Sequence, residues 1–310
     1  MTSDGIVLRS VRGVYSVQVG ARIVHCTLRG NLKKRLEYST SETLARRVTR
    51  VKRHTGRDTL AVGDRVQVVV GQQGAGVIEG VLPRRTRFSR AGFRGREHTV
   101  VCNMDQVVIV FACAEPYPDL WKLDRFLAAA EADELAPIVV ANKADIADAA
   151  PFNEYRDIGY SIVVASAKLG TGVEEIRERL RGKVSAFVGP SGVGKSSLLN
   201  SVQPGLELRT GDMGAVTHKG RHTTTSAQLI PLRIGGWVAD TPGLRQFELL
   251  DLSHEEIADC LPEFRGFVGR CRFDDCRHYS EPNCAIKAAV ASGAISRRRY
   301  ESYLAMSAGA

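Results

Sequence analysis

The run Val184-Ser185-Ala186-Phe187-Val188-Gly189-Pro190-Ser191-Gly192-Val193-Gly194-Lys195-Ser196-Ser197-Leu198-Leu199-Asn200 decides how the rest of this chain is read. Its first five residues form an apolar run of strand length, and 195–202 reads as a helix. Between them, Gly189 to Ser196 matches a glycine-rich phosphate loop, in which successive backbone N–H groups converge on one anion. Lys195 is placed to reach the β- and γ-phosphates of a nucleotide, and the Ser196 hydroxyl to ligate Mg²⁺. The expected nucleotide contacts here are Gly189, Pro190, Ser191, Gly192, Val193, Gly194, Lys195, Ser196 and Ser197.

Outward from this loop the pattern stays α/β. The runs 106–111 and 137–141 are almost wholly apolar, 162–164 is a shorter one, and helical stretches fall at 121–133 and 173–180. Continuous apolar strands alternating with helices predict a parallel sheet covered on both faces.

Two strand ends in this region carry base-reading chemistry. Asn142-Lys143-Ala144-Asp145 follows the run 137–141. The Asp145 carboxylate can accept both N1–H and the exocyclic amine of guanine, a donor pair that adenine lacks, and an unmatched buried carboxylate rejects adenine. Asn142 and Lys143 would brace the loops, with the lysine stem over the base. Ser166-Ala167-Lys168 follows 162–164 and offers backbone N–H to the guanine O6.

Asp240-Thr241-Pro242-Gly243 follows the run 236–239. Asp240 would hold Mg²⁺, mostly through water, and the Gly243 N–H would sense the γ-phosphate. Between the phosphate loop and this motif lies Lys219-Gly220-Arg221-His222-Thr223-Thr224-Thr225, a switch segment in which Thr224, or else Thr223, ligates Mg²⁺ when GTP is bound. Many GTPases follow Asp-x-x-Gly with a glutamine that orients the attacking water. Leu244 stands there instead, and His222 is the candidate of suitable chemistry to take a water proton. Lys195, Thr224 and His222 make up the expected catalytic set. The motifs run in rotated order, guanine first and phosphate loop later, so the chain reads as a circularly permuted GTPase. Domain termini often lie close together, which lets such a rotation keep the fold. The second switch then leads almost directly into the C-terminal residues, which are expected to move with nucleotide state.

The N-terminal part has another character. Residues 1–90 hold 18 Lys/Arg against 6 Asp/Glu, whereas the whole chain carries +9. A basic field so confined attracts polyanions, and nucleic acid is the expected partner. Short β-rich runs at 5–8, 13–19, 22–28, 64–70 and 76–78 suit a five-stranded oligonucleotide-binding (OB) barrel. The basic stretch 33–57 reads as a long mobile loop, and Pro83 with 84–90 as a linker.

Near the C-terminus, Cys271-x4-Cys276-x-His278-x5-Cys284 supplies three thiolates and an imidazole, a full tetrahedral shell for structural Zn²⁺. Arg265, Arg270, Arg272, Arg277 and Arg297-Arg298-Arg299 around it suggest a second basic face. Seven cysteines, an odd number, fit a reducing compartment and a metal better than a disulfide scaffold. With 310 residues, two or three domains are expected. No apolar run is long enough to span a membrane, and the N-terminus lacks a signal peptide's design, so a cytoplasmic protein is expected. No coiled-coil seam is visible, and a monomer is expected.

A basic N-terminal barrel, permuted guanine motifs, the Gly-Arg-His-Thr-Thr switch and the Cys/His finger together resemble the bacterial ribosome small subunit-dependent GTPase A family across nearly the whole chain. The resemblance implies a multidomain chain: a barrel over 1–87, a permuted P-loop GTPase domain over 88–250, and a mainly helical zinc-binding domain over 251–310. It implies GTP and GDP, Mg²⁺ and one Zn²⁺ as ligands. It also implies that the small (30S) subunit and its 16S rRNA are the partner late in assembly, that the subunit activates hydrolysis, and that His222 assists it. Two other classes stay open on the residues alone. One is a translation-type GTPase acting on assembled ribosomes or messenger RNA. The other, kept open by Leu244, is a nucleic-acid-binding scaffold that scarcely hydrolyses.

Overall fold

Five strands near the N-terminus alternate buried and exposed residues and close on themselves. They are β1 (Ser3–Val11), β2 (Val14–Val19), β3 (Arg22–Leu28) and, after the hairpin β4 (Lys34–Tyr38) and β5 (Val48–Arg53), β6 (Arg65–Val70) and β7 (Ala75–Val81). Antiparallel pairs β1–β2, β2–β3, β6–β7 and β1–β6, with one parallel pair β3–β7, complete the ring. Val7, Tyr15, Val17, Val24, Cys26, Leu28, Val66, Val68 and Ile78 fill it. Gly76 marks how tightly: a Cβ there would lie 2.5 Å from Cys26 Sγ. The N-terminal unit is thus a closed β-barrel, as the short alternating runs predicted.

The computed structural model describes residues 2–38, 48–53, 60–71, 74–91, 97–206, 227–240 and 253–308. They belong to two compact units, one drawn from 1–105, 182–184 and 217–243, the other from 106–181, 185–216 and 244–310.

Two expectations about the first unit need correction. The basic stretch 33–57 contains the antiparallel hairpin β4–β5, with Lys34 opposite Arg53 and Leu36 opposite Val51. Its alternating Leu36, Tyr38, Val51 and Thr49 carry a strand pattern that the density of charge conceals. The segment 84–90 is likewise no free linker. Arg84 donates twice to Asp64, at 2.7 Å each, and Asp64 is fully buried. The Ala61 N–H and the Cys102 thiol also reach that carboxylate, at 2.6 and 3.1 Å. The chain then continues as β8 (Arg87–Ala91), paired with β9 (Glu97–Cys102).

The second unit contains β10 (Gln106–Ala112), α1 (Leu120–Ala132), β11 (Ala136–Asn142), α2 (Asn153–Ile158), β12 (Ser161–Val164), α3 (Val173–Leu180), β13 (Val184–Val188) and α4 (Lys195–Val202). Its strands are parallel in the order β12-β11-β10-β13. All seven residues of β10 are buried, as expected for a strand covered on both faces. The connection from β12 to β13 passes over two strands, which is how a chain beginning with guanine motifs still seats its phosphate-loop strand beside β10. A further strand pair, β14 (Gln228–Pro231) and β15 (Trp237–Asp240), belongs to the first unit and pairs with β1.

Three helices end the chain: α5 (His254–Asp259), α6 (Ala285–Ala291) and α7 (Arg297–Ser307). Ser253 and Glu256 form a capping box on α5. Ile257, Leu261, Phe264, Ile286, Ile295 and Tyr303 pack together with Ala128 of α1. Among the described residues no helix is long and apolar enough to cross a membrane.

Candidate nucleotide and metal sites

The motifs of the second unit sit where strands end, the usual ligand edge of an open α/β sheet. β13 runs into the loop 189–194, and α4 starts at Lys195. Gly189 (φ 136°) and Gly194 (φ 91°) hold backbone conformations that side chains rarely adopt; a Cβ would lie 2.1 Å from the Val110 carbonyl oxygen in one and 2.5 Å from Asn142 Nδ2 in the other. Only glycine lets the loop lie this close to the strand ends. Val193 is buried, while Ser191, Gly192, Ser196 and Ser197 are exposed, and Pro190 is half-buried. Lys195 Nζ donates to the carbonyls of Gly189 (2.9 Å) and Pro190 (2.6 Å), so the ammonium stays folded over its own loop.

Asn142 is the hub. Its side chain is almost fully buried; Nδ2 donates to the Val193 carbonyl at 2.9 Å, and Oδ1 accepts the Ala167 N–H at 3.1 Å. One amide therefore ties the phosphate loop to the Ser166–Lys168 loop. Ser201 of α4 reinforces the tie, its Oγ 3.0 Å from the Ala167 carbonyl. Arg177 of α3 donates to the carbonyls of Ser201 (2.9 Å) and Val202 (3.0 Å), capping the end of α4.

Asp145 accepts the Ser166 hydroxyl at 2.7 Å. That bond, with help from Lys168 and Lys143, holds the Asp145 carboxyl below its ordinary pKa. An ionised carboxylate with lone pairs to spare is the acceptor that guanine's two donors require. Lys143 sits at φ 62°, and its Nζ donates to the Glu115 carbonyl. Asp240 ends β15, and its Oδ2 accepts Gln228 Nε2 at 3.1 Å. His222, Thr223, Thr224, Gly243 and Leu244 lie outside the described residues.

Cys271, Cys276, His278 and Cys284 converge, with all four ligand atoms within 4.8 Å of one another. A tetrahedral Zn²⁺ site with bonds of about 2.3 Å to sulfur and about 2.0 Å to nitrogen has edges near about 3.8 Å (S···S) and about 3.5 Å (S···N). The Cys271–Cys284 Sγ separation is 3.9 Å, and His278 Nδ1 lies 3.5 and 3.4 Å from those sulfurs. The donor set fits the ion. Burial pushes the Cys276 thiol up to about 12, raises that of Cys284 and lowers the His278 pKa, so burial favours the neutral imidazole and opposes the thiolates that a bound cation would stabilise. The supporting residues come from α7. Tyr300 donates to the His278 carbonyl at 2.6 Å and Tyr303 to the Arg277 carbonyl at 2.9 Å. The Glu281 carboxylate accepts the N–H groups of Arg277 and Tyr279.

A family model described as RsgA GTPase matches residues 81–250. A small ribosomal subunit biogenesis GTPase RsgA from Moorella thermoacetica is 43% identical over 97% of this chain and 95% of its own length. The chain belongs to the RsgA GTPase family. A second RsgA, from Gemmatimonas aurantiaca, is 41% identical over 98% of this chain and 96% of its own. Two solved structures have the same fold: YjeQ from Thermotoga maritima (TM-score 0.79, 35% identity, 100% and 98% coverage) and YloQ, described as a circularly permuted GTPase (TM-score 0.75, 28% identity, 100% and 95%). As an RsgA GTPase, the chain hydrolyses GTP.

One sequence expectation about this RsgA chain fails in part. Arg298 and Arg299 turn inward and drop out of the expected second basic face, whereas Arg270, Arg272, Arg277 and Arg297 are exposed. Arg299 is 1% exposed and donates to Asp124 (2.7 Å) and Glu263 (2.5 Å). Arg298 donates to Asp124 (2.7 Å) and Glu154 (2.6 Å), Arg297 pairs with Glu301, and Arg265 with Glu131. Asp124, fully buried on α1, also accepts Tyr155 (2.6 Å) and Ser302. Arg298 and Arg299 read as part of that face because the acid they share, Asp124, lies far off in sequence. Asp124 itself gave one local hint, a charge inside the apolar stripe Leu123–Phe126–Leu127.

Proposed function

We propose that this protein binds the small (30S) ribosomal subunit and hydrolyses GTP in its late maturation, with the subunit as activator. The observation that carries the reading is near full-length identity to relatives named for small-subunit biogenesis, 43% over 97% of the chain in one case. The strand order and the parallel β3–β7 closure support reading the barrel as an OB fold, and the surplus of Lys/Arg in residues 1–90 supports 16S rRNA as its ligand. On this reading the protein is cytoplasmic and monomeric, with a barrel over 1–87, a permuted GTPase domain over 88–250 and a helical zinc-binding domain over 251–310.

In the nucleotide site, Asp145 pairs with guanine N1–H and N2–H₂, the backbone of 166–168 meets O6, and Lys143 covers the base. Lys195 leaves the carbonyls of Gly189 and Pro190 for the β- and γ-phosphates, whose oxygens also receive the backbone N–H groups of Gly189 and 191–197. Ser196 and Thr224 would ligate Mg²⁺, with Asp240 acting through water, and the ion would offset the phosphate charge. Gly243 senses the γ-phosphate, and His222 orients the attacking water and takes up its proton. Cys271, Cys276, His278 and Cys284 hold a structural Zn²⁺.

Steady-state phosphate release from GTP and ATP, with and without purified small subunits, tests the reading. GTP-selective stimulation by subunits is expected. Equal rates with and without subunits would overturn it.

A further inference from the structure

Asp240, Gln228, Arg9, Ser16 and His25 are successive register partners on β15, β14, β1, β2 and β3. Directly opposed residues on antiparallel strands project to the same face. None of the five is buried, while Val7, Tyr15, Val17 and Val24 fill the barrel from the other face. A polar row thus crosses the outer face of the first unit, from the barrel to the carboxylate that begins the Asp-Thr-Pro-Gly motif. Two side-chain bonds run along it: Gln228 Nε2 to Asp240 Oδ2 at 3.1 Å, and Ser16 Oγ to His25 Nδ1 at 3.4 Å. Trp237 Nε1, donating to Gln18 Oε1 at 2.8 Å, adds a second tie between β15 and the barrel.

Gln228 is the joint in this row. It stands opposite Arg9 of the barrel on one side and Asp240 on the other. β14 has only four residues, and Arg9–Gln228 is its register pair with β1, so a shift of β1 bears directly on Gln228. Arg9 is exposed beside it, on the unit that carries the basic excess.

We propose that Gln228 is a positioning residue: its amide sets the Asp240 carboxylate for Mg²⁺ and makes that setting depend on barrel strand β1. An RNA phosphate docked on the outer face beside Arg9 is the ligand whose binding this joint reports. The proposal rests on the nucleotide-site reading above through the role given there to Asp240. Linkage requires reciprocity: if subunit binding strengthens the hold on Mg²⁺, Mg²⁺ with nucleotide strengthens subunit binding equally.

The test titrates Mg²⁺ against GTP hydrolysis by the full chain and, independently, against its equilibrium binding of a fluorescent non-hydrolysable GTP analogue, with and without small subunits, for wild type, Gln228→Leu and Asp240→Asn. Gln228→Leu is expected to raise the half-maximal Mg²⁺ concentration about tenfold, the worth of one charge-assisted hydrogen bond, with a smaller effect on kcat at saturating Mg²⁺. Subunits should lower that concentration in wild type and leave it unmoved in Gln228→Leu. A wild-type Mg²⁺ requirement in Gln228→Leu, alongside a shifted one in Asp240→Asn, overturns the proposal and leaves the role of Asp240 standing. An unshifted Asp240→Asn overturns the site reading on which both rest. Equal subunit-induced shifts in wild type and Gln228→Leu overturn the dependence on β1. Gln228→Thr, which suits a strand, carries the same expectations if the leucine variant fails to fold.

Discussion

The Asn142 side chain donates to the Val193 carbonyl at 2.9 Å, and that bond fastens the phosphate loop to the strand end that leads into the guanine motif. The same amide accepts the Ala167 N–H, so base and phosphate halves of the site share one buried support. A nucleotide bridging both halves gains from their being held at a fixed separation.

Asn142→Ala should therefore weaken GDP and GTP alike. The change leaves the Val193 carbonyl and the Ala167 N–H unsatisfied, and each such loss costs about 1–3 kcal/mol. Fluorescent-nucleotide titration should show affinity falling about 10- to 100-fold for both. A selective loss of GTP would point instead to a γ-phosphate role.

Acidification offers a second check. The folded-state pKa of Asp145 is depressed, with the Ser166 hydroxyl as the first cause. A depressed carboxylate keeps its charge above its ordinary range and loses it only as pH falls through the lowered value. Guanine binding should share that acid limb. In Ser166→Ala the limb should move to higher pH, as read from GDP affinity against pH. Coincident limbs would remove Ser166 as the cause. Asp145→Asn should shift preference from guanine to xanthine, whose second carbonyl can accept the new amide proton.

Asp124→Ala tests the buried ion network. It leaves Arg299, which is 1% exposed, with one partner fewer and removes an acceptor from Arg298, Tyr155 and Ser302. Breaking a buried pair by deleting one side costs about 3–5 kcal/mol. The denaturant midpoint should fall accordingly, whereas Glu301→Ala, which disturbs an exposed pair on α7, should shift it by at most about 1 kcal/mol.

Metal removal should act on the C-terminal helices. Chelation or Cys276→Ser should abolish stoichiometric zinc by elemental analysis and raise amide exchange across 271–300, where Tyr300 and Tyr303 hold the knuckle's carbonyls. Unchanged exchange in a metal-free sample would show that the knuckle stands without the ion.

The sequence was most readable where structure is local. The segments 173–180 and 195–202 begin and end as helices where their periodicity predicted, and 184–188 is the strand before the phosphate loop. The four metal-binding candidates are neighbours in the chain, so spacing alone could group them. Pairing between distant segments was not readable. The β3–β7 closure and the β4–β5 hairpin depend on partners that no local pattern names, and charge in 33–57 hid the hairpin's alternation. Arg298 and Arg299 misled for the same reason, since Asp124 lies more than 170 residues away. Gln228 was equally silent: a glutamine at a strand start carries no signal until its neighbours on both sides are known.

The pairing of α7 with Asp124 also limits how the chain can be dissected. Residues 253–308 expressed alone would carry Arg298 and Arg299 without the acid that receives them, and the remainder would keep an interior carboxylate stripped of its guanidinium donors. Grafting the metal knuckle onto another scaffold would require an acidic position like Asp124 on the host. Two such fragments should recover structure when mixed rather than apart, behaving as halves of one body instead of interchangeable parts.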